Sequence, residues 1–229
     1  MIRFTPILLA ILYAFAMYRF SVWRTKRELD AQSTELADPN LKDMTDKLAK
    51  ALDLPRIRVN IYEIDPVNGL AAPDGRIFIT RGFYRKFLNG EVTAEELASV
   101  IAHELGHVAL GHTRRRMIDF SGQNALRTAL AMVFARILPG IGVWVANGIT
   151  TLLAARLSRG DEYEADEYAA ALLTKVGIGV APQISLFEKL DAMTKSRAGV
   201  APAWLMSHPK TPERIKAIRK LENKWAKGS

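Results

Sequence analysis

The sequence predicts an α+β fold that is mostly α, and three observations carry that prediction. Two short runs rich in Val and Ile, residues 57–64 and 77–80, are separated by turn signals at Asn68-Gly69 and Pro73-Asp74-Gly75, the pattern of strands in a small sheet. Everything after Glu91 reads as helical. Within that half, residues 97–110 contain no Pro, and Thr93 followed by Glu96 forms a capping-box signal at the start of the run. At 229 residues with 49% hydrophobic content, the chain suits one main domain with a short appendage.

The appendage is N-terminal. Residues 4–18 are uncharged and strongly apolar, and if Arg19 snorkels, the stretch reaches Trp23, about 20 residues and enough to span a bilayer. Arg24, Lys26 and Arg27 follow, against Arg3 and the amino terminus on the other side, which places the downstream domain in the cytoplasm. The alternative is a cleavable signal peptide, because Ala14-Phe15-Ala16 resembles an A-x-A site; cleavage there makes Met17 the first residue and exports the domain. The expected organisation is a transmembrane anchor or signal helix over 1–23, a helical arm over 24–55, and a main domain over 56–229. The arm carries Leu41, Met44, Leu48 and Leu52 on one face until Pro55 stops it.

His103-Glu104-Leu105-Gly106-His107 falls inside the capped, Pro-free helix. Residues four apart on a helix lie about 40° from each other, one turn removed, so both imidazoles can hold a single ion. Glu104 flanks that face, where a carboxylate holds the water of a metal site rather than the metal. Leu97, Val100, Ile101, Leu105, Val108 and Leu110 surround the motif, so the helix should be buried. The pattern points to a zinc-dependent peptidase. A catalytic zinc takes three protein ligands, so a third must come from downstream. His112 is about 140° round from His107 on a continued helix and points elsewhere.

Residues 137–155 are uncharged and invite reading as a second span. His107 and a downstream ligand must meet at one ion, so the chain between them crosses a membrane an even number of times. A partner span near 118–135 carries Asp119 and Arg127, each costing about 2.5 to 3.5 kcal/mol at mid-membrane. Pro139, Gly140 and Gly142 interrupt the apolar run. This region is therefore expected to pack against the site or dip into the membrane surface.

Residues 158–166, Ser-Arg-Gly-Asp-Glu-Tyr-Glu-Ala-Asp, read as the opening of another helix. Glu162 and Asp166 are one turn apart on one face, which lets Glu162 ligate the metal while Asp166 accepts a hydrogen bond from a ligating imidazole. Acidic residues are also common at helix starts because they complement the helix dipole, and spacing alone does not separate the two readings. His208 lies in a loop that runs into a helix capped by Thr211 with Pro212 at its first position.

There are no Cys, which excludes disulfides, a thiol nucleophile and Cys-ligated zinc. The net charge of +8 fits an anionic lipid surface, and no nucleic-acid motif accompanies it. The alternative to an enzyme is a membrane-anchored chaperone or scaffold that keeps zinc without proteolysis. Glu104 argues against that, since a structural site has no need of a base.

The chain resembles the HtpX-like membrane metallopeptidases, a gluzincin group that includes the CAAX prenyl endopeptidases. The likeness covers roughly residues 57–220. Its motifs are His103 to His107; residues 68–75 leading into Ile77-Phe78-Ile79-Thr80-Arg81-Gly82; residues 158–166; and Ser207-His208-Pro209 followed by Arg214-Ile215. It implies a zincin-like domain with one catalytic Zn2+ held by His103, His107 and Glu162, Glu104 as general base, and Asp166 behind the ligands. It also implies that His208 lies close to the metal, steadying the tetrahedral intermediate or occupying the open metal position in a resting form. Protein or peptide substrates and membrane lipid are the partners expected, in general quality-control proteolysis. Ile77 and Phe78, on a strand beside the metal helix, are expected to pair with an extended substrate backbone. Nothing in the sequence marks a prenyl-binding cavity or the oligomeric state.

Overall fold

The computed structural model describes residues 5–113, 141–196, 202–208 and 211–226, with 131, 134 and 137 as isolated helical positions. In chain order the elements are α1 (Thr5–Ala31), β1 (Ser33–Glu35), α2 (Pro39–Ala51), β2 (Val59–Tyr62), β3 (Gly69–Ala71), β4 (Ile77–Thr80), α3 (Arg81–Leu88), α4 (Ala94–Ala109), α5 (Gly142–Lys175), α6 (Ala181–Ser196), α7 (Ala203–Ser207) and α8 (Thr211–Ala226). This is the expected α+β composition, mostly α.

The sheet runs in the order β1-β2-β4-β3. β2 and β4 are parallel, Val59 opposite Ile77, while β1 on β2 and β3 on β4 are antiparallel. Alternate residues of a strand face opposite sides of the sheet. Ile77 and Ile79 accordingly enter the main core with Val59, Leu97, Val100 and Ile101. Phe78 turns to the other face, where Leu29 of α1 and Ala72 cover it. Tyr62 donates to Glu28, and Arg76 pairs with Asp30 at 2.7 Å, so the end of α1 is fastened to that outer face.

Three sequence expectations change here. Asn68-Gly69 was expected as a turn, but Gly69 opens β3; a three-residue Gly-Leu-Ala strand has no β signal of its own and forms because β4 offers it an edge. The arm over 24–55 is not uniformly helical, since β1 interrupts it between α1 and α2. Its expected apolar face does exist in α2, which is capped by Asp38 and seats Leu41 and Leu48 fully in the main core. The third concerns residues 158–166, which lie in the interior of the 34-residue α5 rather than at a helix start.

Among the described residues no helix is long and apolar enough to cross a membrane. The anchor expected over 1–23 falls partly outside them, because residues 1–4 and the side chains of 5–11 and 14 are not described. Most of 118–155, expected to pack or dip, also lies outside; from Gly142 onward the chain is helical.

α4 is the central element. Thr93 accepts from the Glu96 backbone while the Glu96 side chain accepts from the Thr93 backbone, the capping box the sequence announced. Glu96 is buried and also takes bonds from Ser185 and Lys189 of α6, so one residue both starts the helix and docks it. Every residue of α4 from Glu96 to His107 is buried, which fixes the two histidines in a dry environment.

Candidate metal centre

His103 and His107 point their Nε2 atoms to a common place, 3.1 Å apart. Glu162, from α5, brings Oε2 to 3.5 Å from His103 Nε2 and Oε1 to 3.5 Å from His107 Nε2. His208, the residue that ends α7, brings Nδ1 to 3.3 Å from His103 Nε2 and 2.5 Å from Glu162 Oε2. The ligating atoms of these four buried residues all lie within 4.8 Å of one another. Asp166 stands behind His103, its Oδ1 3.0 Å from Nδ1. Glu104 faces the group from α4, with Oε1 3.5 Å from His208 Nε2.

The close approach of α4 and α5 depends on Gly106. A Cβ there would meet Ala165 Cα at 3.0 Å and Ala165 O at 3.1 Å, backbone atoms that cannot swing aside. Ala165 is one turn from Glu162, so pushing α5 back carries Glu162 away from both imidazoles. Gly106→Ala is therefore expected to lower stability by about 1–2 kcal/mol, despite alanine's better helix propensity, and to weaken metal retention. Thermal unfolding with and without metal checks this; unchanged midpoints would contradict it.

Arg214 of α8 joins the parts. It grips Asp166 with both Nε and Nη2 at 2.6 Å and donates from Nη1 to the His208 carbonyl at 3.0 Å. Its guanidinium lies over Trp204 and Phe187, centroids 5.0 and 4.6 Å away. Trp204 in turn stacks on His208 at 4.9 Å, and its backbone N–H reaches Val67 O at 3.0 Å. The loop bearing His208 is thus held from beneath by Arg214 and tied at its start to the segment before β3.

Charge explains what this site wants. Glu104, Glu162 and Asp166 are buried, and Arg214 is the buried guanidinium they share; among the described residues the site has an excess of negative charge, which is costly unless a cation joins it. Burial favours the neutral His103 ring, yet Asp166 and Glu162 outweigh it and raise its pKa to about 9. Burial likewise opposes the Asp166 carboxylate, and Arg214 with His103 more than offsets this and lowers its pKa. Glu162 is also lowered, His103 and His208 overcoming burial. Glu104 Oε1 is buried without a hydrogen-bond partner among the described residues, as expected of an oxygen reserved for a water on an ion. The donor set and this orphaned oxygen both fit a divalent metal.

The sequence model of peptidase family M48 matches residues 35–222. The chain belongs to this family. It is 30% identical to the metalloprotease LoiP of Escherichia coli over 84% of this chain and 75% of that protein. It is 29% identical to a protease HtpX homolog of Salinibacter ruber, over 80% of this chain and 70% of the relative. To the human mitochondrial metalloendopeptidase OMA1 it is 22% identical over 71% of this chain, which spans about a third (32%) of that protein. The M48 chain is a metallopeptidase that acts on peptide or protein.

All of His103, Glu104, His107, Glu162, Asp166 and His208 meet at one place. Ile77 and Phe78 do not. Both are fully buried, and β4 is paired on both edges by β2 and β3, so it has no free backbone groups for a substrate. Of the two edge strands, β1 and β3, β3 passes the site: a Cβ on Gly69 would lie 2.7 Å from Val100 Cγ1 and 3.7 Å from Glu104 Oε1. Sequence reasoning also missed Trp204, for which an aromatic four residues before His208 is the only trace. His112 was expected to point elsewhere. It is fully buried, with Nδ1 3.0 Å from His107 Nδ1, and the missed signal was Gly111, which reverses the chain after α4 ends at Ala109.

Proposed function

We propose that the M48 peptidase holds one Zn2+ through His103 Nε2, His107 Nε2 and a Glu162 carboxylate oxygen, and cleaves extended stretches of protein substrates. The observation that carries this is the spacing of the donors: 3.1 Å between the two imidazole nitrogens, 3.5 Å from His103 Nε2 to Glu162 Oε2, and 3.5 Å from His107 Nε2 to Glu162 Oε1. A tetrahedral zinc with bonds of about 2.1 Å sets its ligands about 3.4 Å apart. A zinc held there would supply Lewis-acid chemistry, polarising the scissile carbonyl and lowering the pKa of a water towards about 7.

Glu104, whose Oε1 faces the ligand group, would accept a proton from the attacking water and return it to the leaving amine. Asp166, gripped by Arg214, holds the proton on His103 Nδ1 and so keeps Nε2 open to the metal. His208, with Nδ1 3.3 Å from His103 Nε2 and Nε2 3.5 Å from Glu104 Oε1, would serve either as a further ligand in a resting form or as a hydrogen-bond donor to the oxygen of the carbonyl under attack. Substrate backbone pairs with β3, since among the described residues no strand lies beyond it.

The same reading puts the enzyme at a membrane surface in protein quality control. α1 exposes Leu12, Tyr13, Phe15, Phe20 and Trp23, and Trp144 at the start of α5 is 78% exposed, aromatic and apolar groups of the kind that seat at a lipid interface. An N-terminal anchor with the domain on its Arg-rich, cytoplasmic side follows from the charges flanking it. Detection of Met17 as the first residue of the mature protein would replace this with export after signal cleavage.

Metal analysis of the purified full chain alongside a casein assay tests the central part. About one zinc per chain is expected, with cleavage abolished by a chelator and restored by zinc. Cleavage that survives complete metal removal would refute it.

A further inference from the structure

The structure assigns to His112 the positioning of His107, through an imidazole-to-imidazole contact that fixes which His107 nitrogen carries the proton. This rests on the reading of His107 as a metal ligand.

The local chain makes the contact possible. α4 ends at Ala109 with Leu110 as its cap, and Gly111 takes φ +72, the left-handed conformation that reverses a chain at a helix end. A Cβ on Gly111 would meet nothing within 4 Å, so glycine is needed there for its backbone and not for space. The reversal folds His112 back under the last turn. Its Nδ1 lies 3.0 Å from His107 Nδ1, and its Nε2 lies 3.0 Å from Glu164 Oε2 and 3.6 Å from Asp161 Oδ1.

Hydrogen accounting then selects one arrangement. A nitrogen-to-nitrogen contact at 3.0 Å holds one proton, and an ionised carboxylate only accepts. A metal on His107 Nε2 leaves the His107 proton on Nδ1, so His112 Nδ1, 3.0 Å away, is the acceptor, and His112 Nε2 faces Glu164 as the donor. His107 thus donates from Nδ1, and its own Nε2 is left with a lone pair facing His103 and Glu162. Any arrangement in which His112 instead donates from Nδ1 places a proton on His107 Nε2, where the metal must bind. The two ligating histidines are thus backed by different chemistry: His103 by Asp166 and Arg214, His107 by His112 and then by Glu164, a side chain 59% exposed.

The same three residues, His112, Asp161 and Glu164, have ligating atoms within 4.8 Å of one another and are a rival cation site. The two uses exclude each other. A cation on His112 Nε2 drives the His112 proton to Nδ1 and so blocks His107 for its metal.

The test compares full-chain His112→Phe and His112→Asn by zinc affinity, measured in competition with a chromophoric chelator. Phe preserves the bulk and removes the acceptor; Asn sacrifices bulk and keeps a carbonyl oxygen near the Nδ1 position. Loss of about 10- to 100-fold in affinity is expected for Phe, with Asn within a few-fold of wild type. A packing role predicts the reverse order. Nitrogen-15 NMR of the zinc-loaded wild type, tractable with four histidines, needs no variant and should show His107 protonated at Nδ1. Phe binding zinc as tightly as wild type, His107 unprotonated at Nδ1, or a second zinc lost in Glu164→Ala would each overturn the assignment. Zinc uptake that His103→Ala abolishes but His112→Phe leaves intact would overturn this assignment alone, whereas no uptake by the wild type would overturn the site reading and this assignment with it.

Discussion

Glu104→Gln keeps its zinc and loses casein cleavage by about 10³-fold, within the span ascribed to a general base. The substitution preserves shape and replaces a proton acceptor with an amide that cannot take the proton. The nearest polar contact of Glu104 Oε1 among the described residues is His208 Nε2 at 3.5 Å, and the amide oxygen of Gln can keep it. The carboxylate is also one of three whose charges act on Arg214, and removing one acid from a site with excess negative charge does not weaken the fold. The expected profile is zinc content near wild type, a thermal midpoint equal or higher, and turnover about 10³-fold below wild type. A variant cleaving casein at a comparable rate would remove Glu104 as the base.

Glu162→Gln gives the opposite profile, losing metal rather than chemistry. Glu162 is the atom source shared by His103, His107 and His208, and an amide is a much poorer zinc ligand than a carboxylate. A loss of more than about 100-fold in zinc affinity is expected, above that of groups acting through a ligand. The metal-free variant should fold as well as wild type, because Arg214 and His103 retain Asp166. Zinc stabilises only the folded form that binds it, so added zinc should raise the wild-type midpoint and leave the variant's unchanged. Equal midpoint shifts in the two proteins would exclude Glu162 as a ligand.

The metal helix was legible because three local signals agree in it: the Thr93/Glu96 cap, the absence of Pro, and the two histidines four apart. Glu162 and Asp166 were legible as a spacing, but their context was not. The acidic segment 158–166 reads as a helix opening, whereas the helix that contains it begins at Gly142. That placement removes the helix-dipole reading, since carboxylates in mid-helix have no N-terminus to complement. The sheet was legible at β2 and β4, whose Val and Ile declare them. β3 was not, because Gly69-Leu70-Ala71 is a strand only by pairing with β4, and the sequence pointed instead to Ile77 and Phe78 of β4, which is paired on both edges. The helical wheel placed His112 away from His107 by extending α4 three residues past its end at Ala109, through a glycine whose φ of +72 reverses the chain.

Anomalous diffraction at the zinc edge, from crystals of the zinc-loaded full chain, addresses the site most directly. The account predicts one strong peak bounded by Nε2 of His103, Nε2 of His107 and the Glu162 carboxylate, with Asp166 and Glu104 outside bonding distance. A principal peak among His112, Asp161 and Glu164, or one that lacks Glu162 as a ligand, would contradict it.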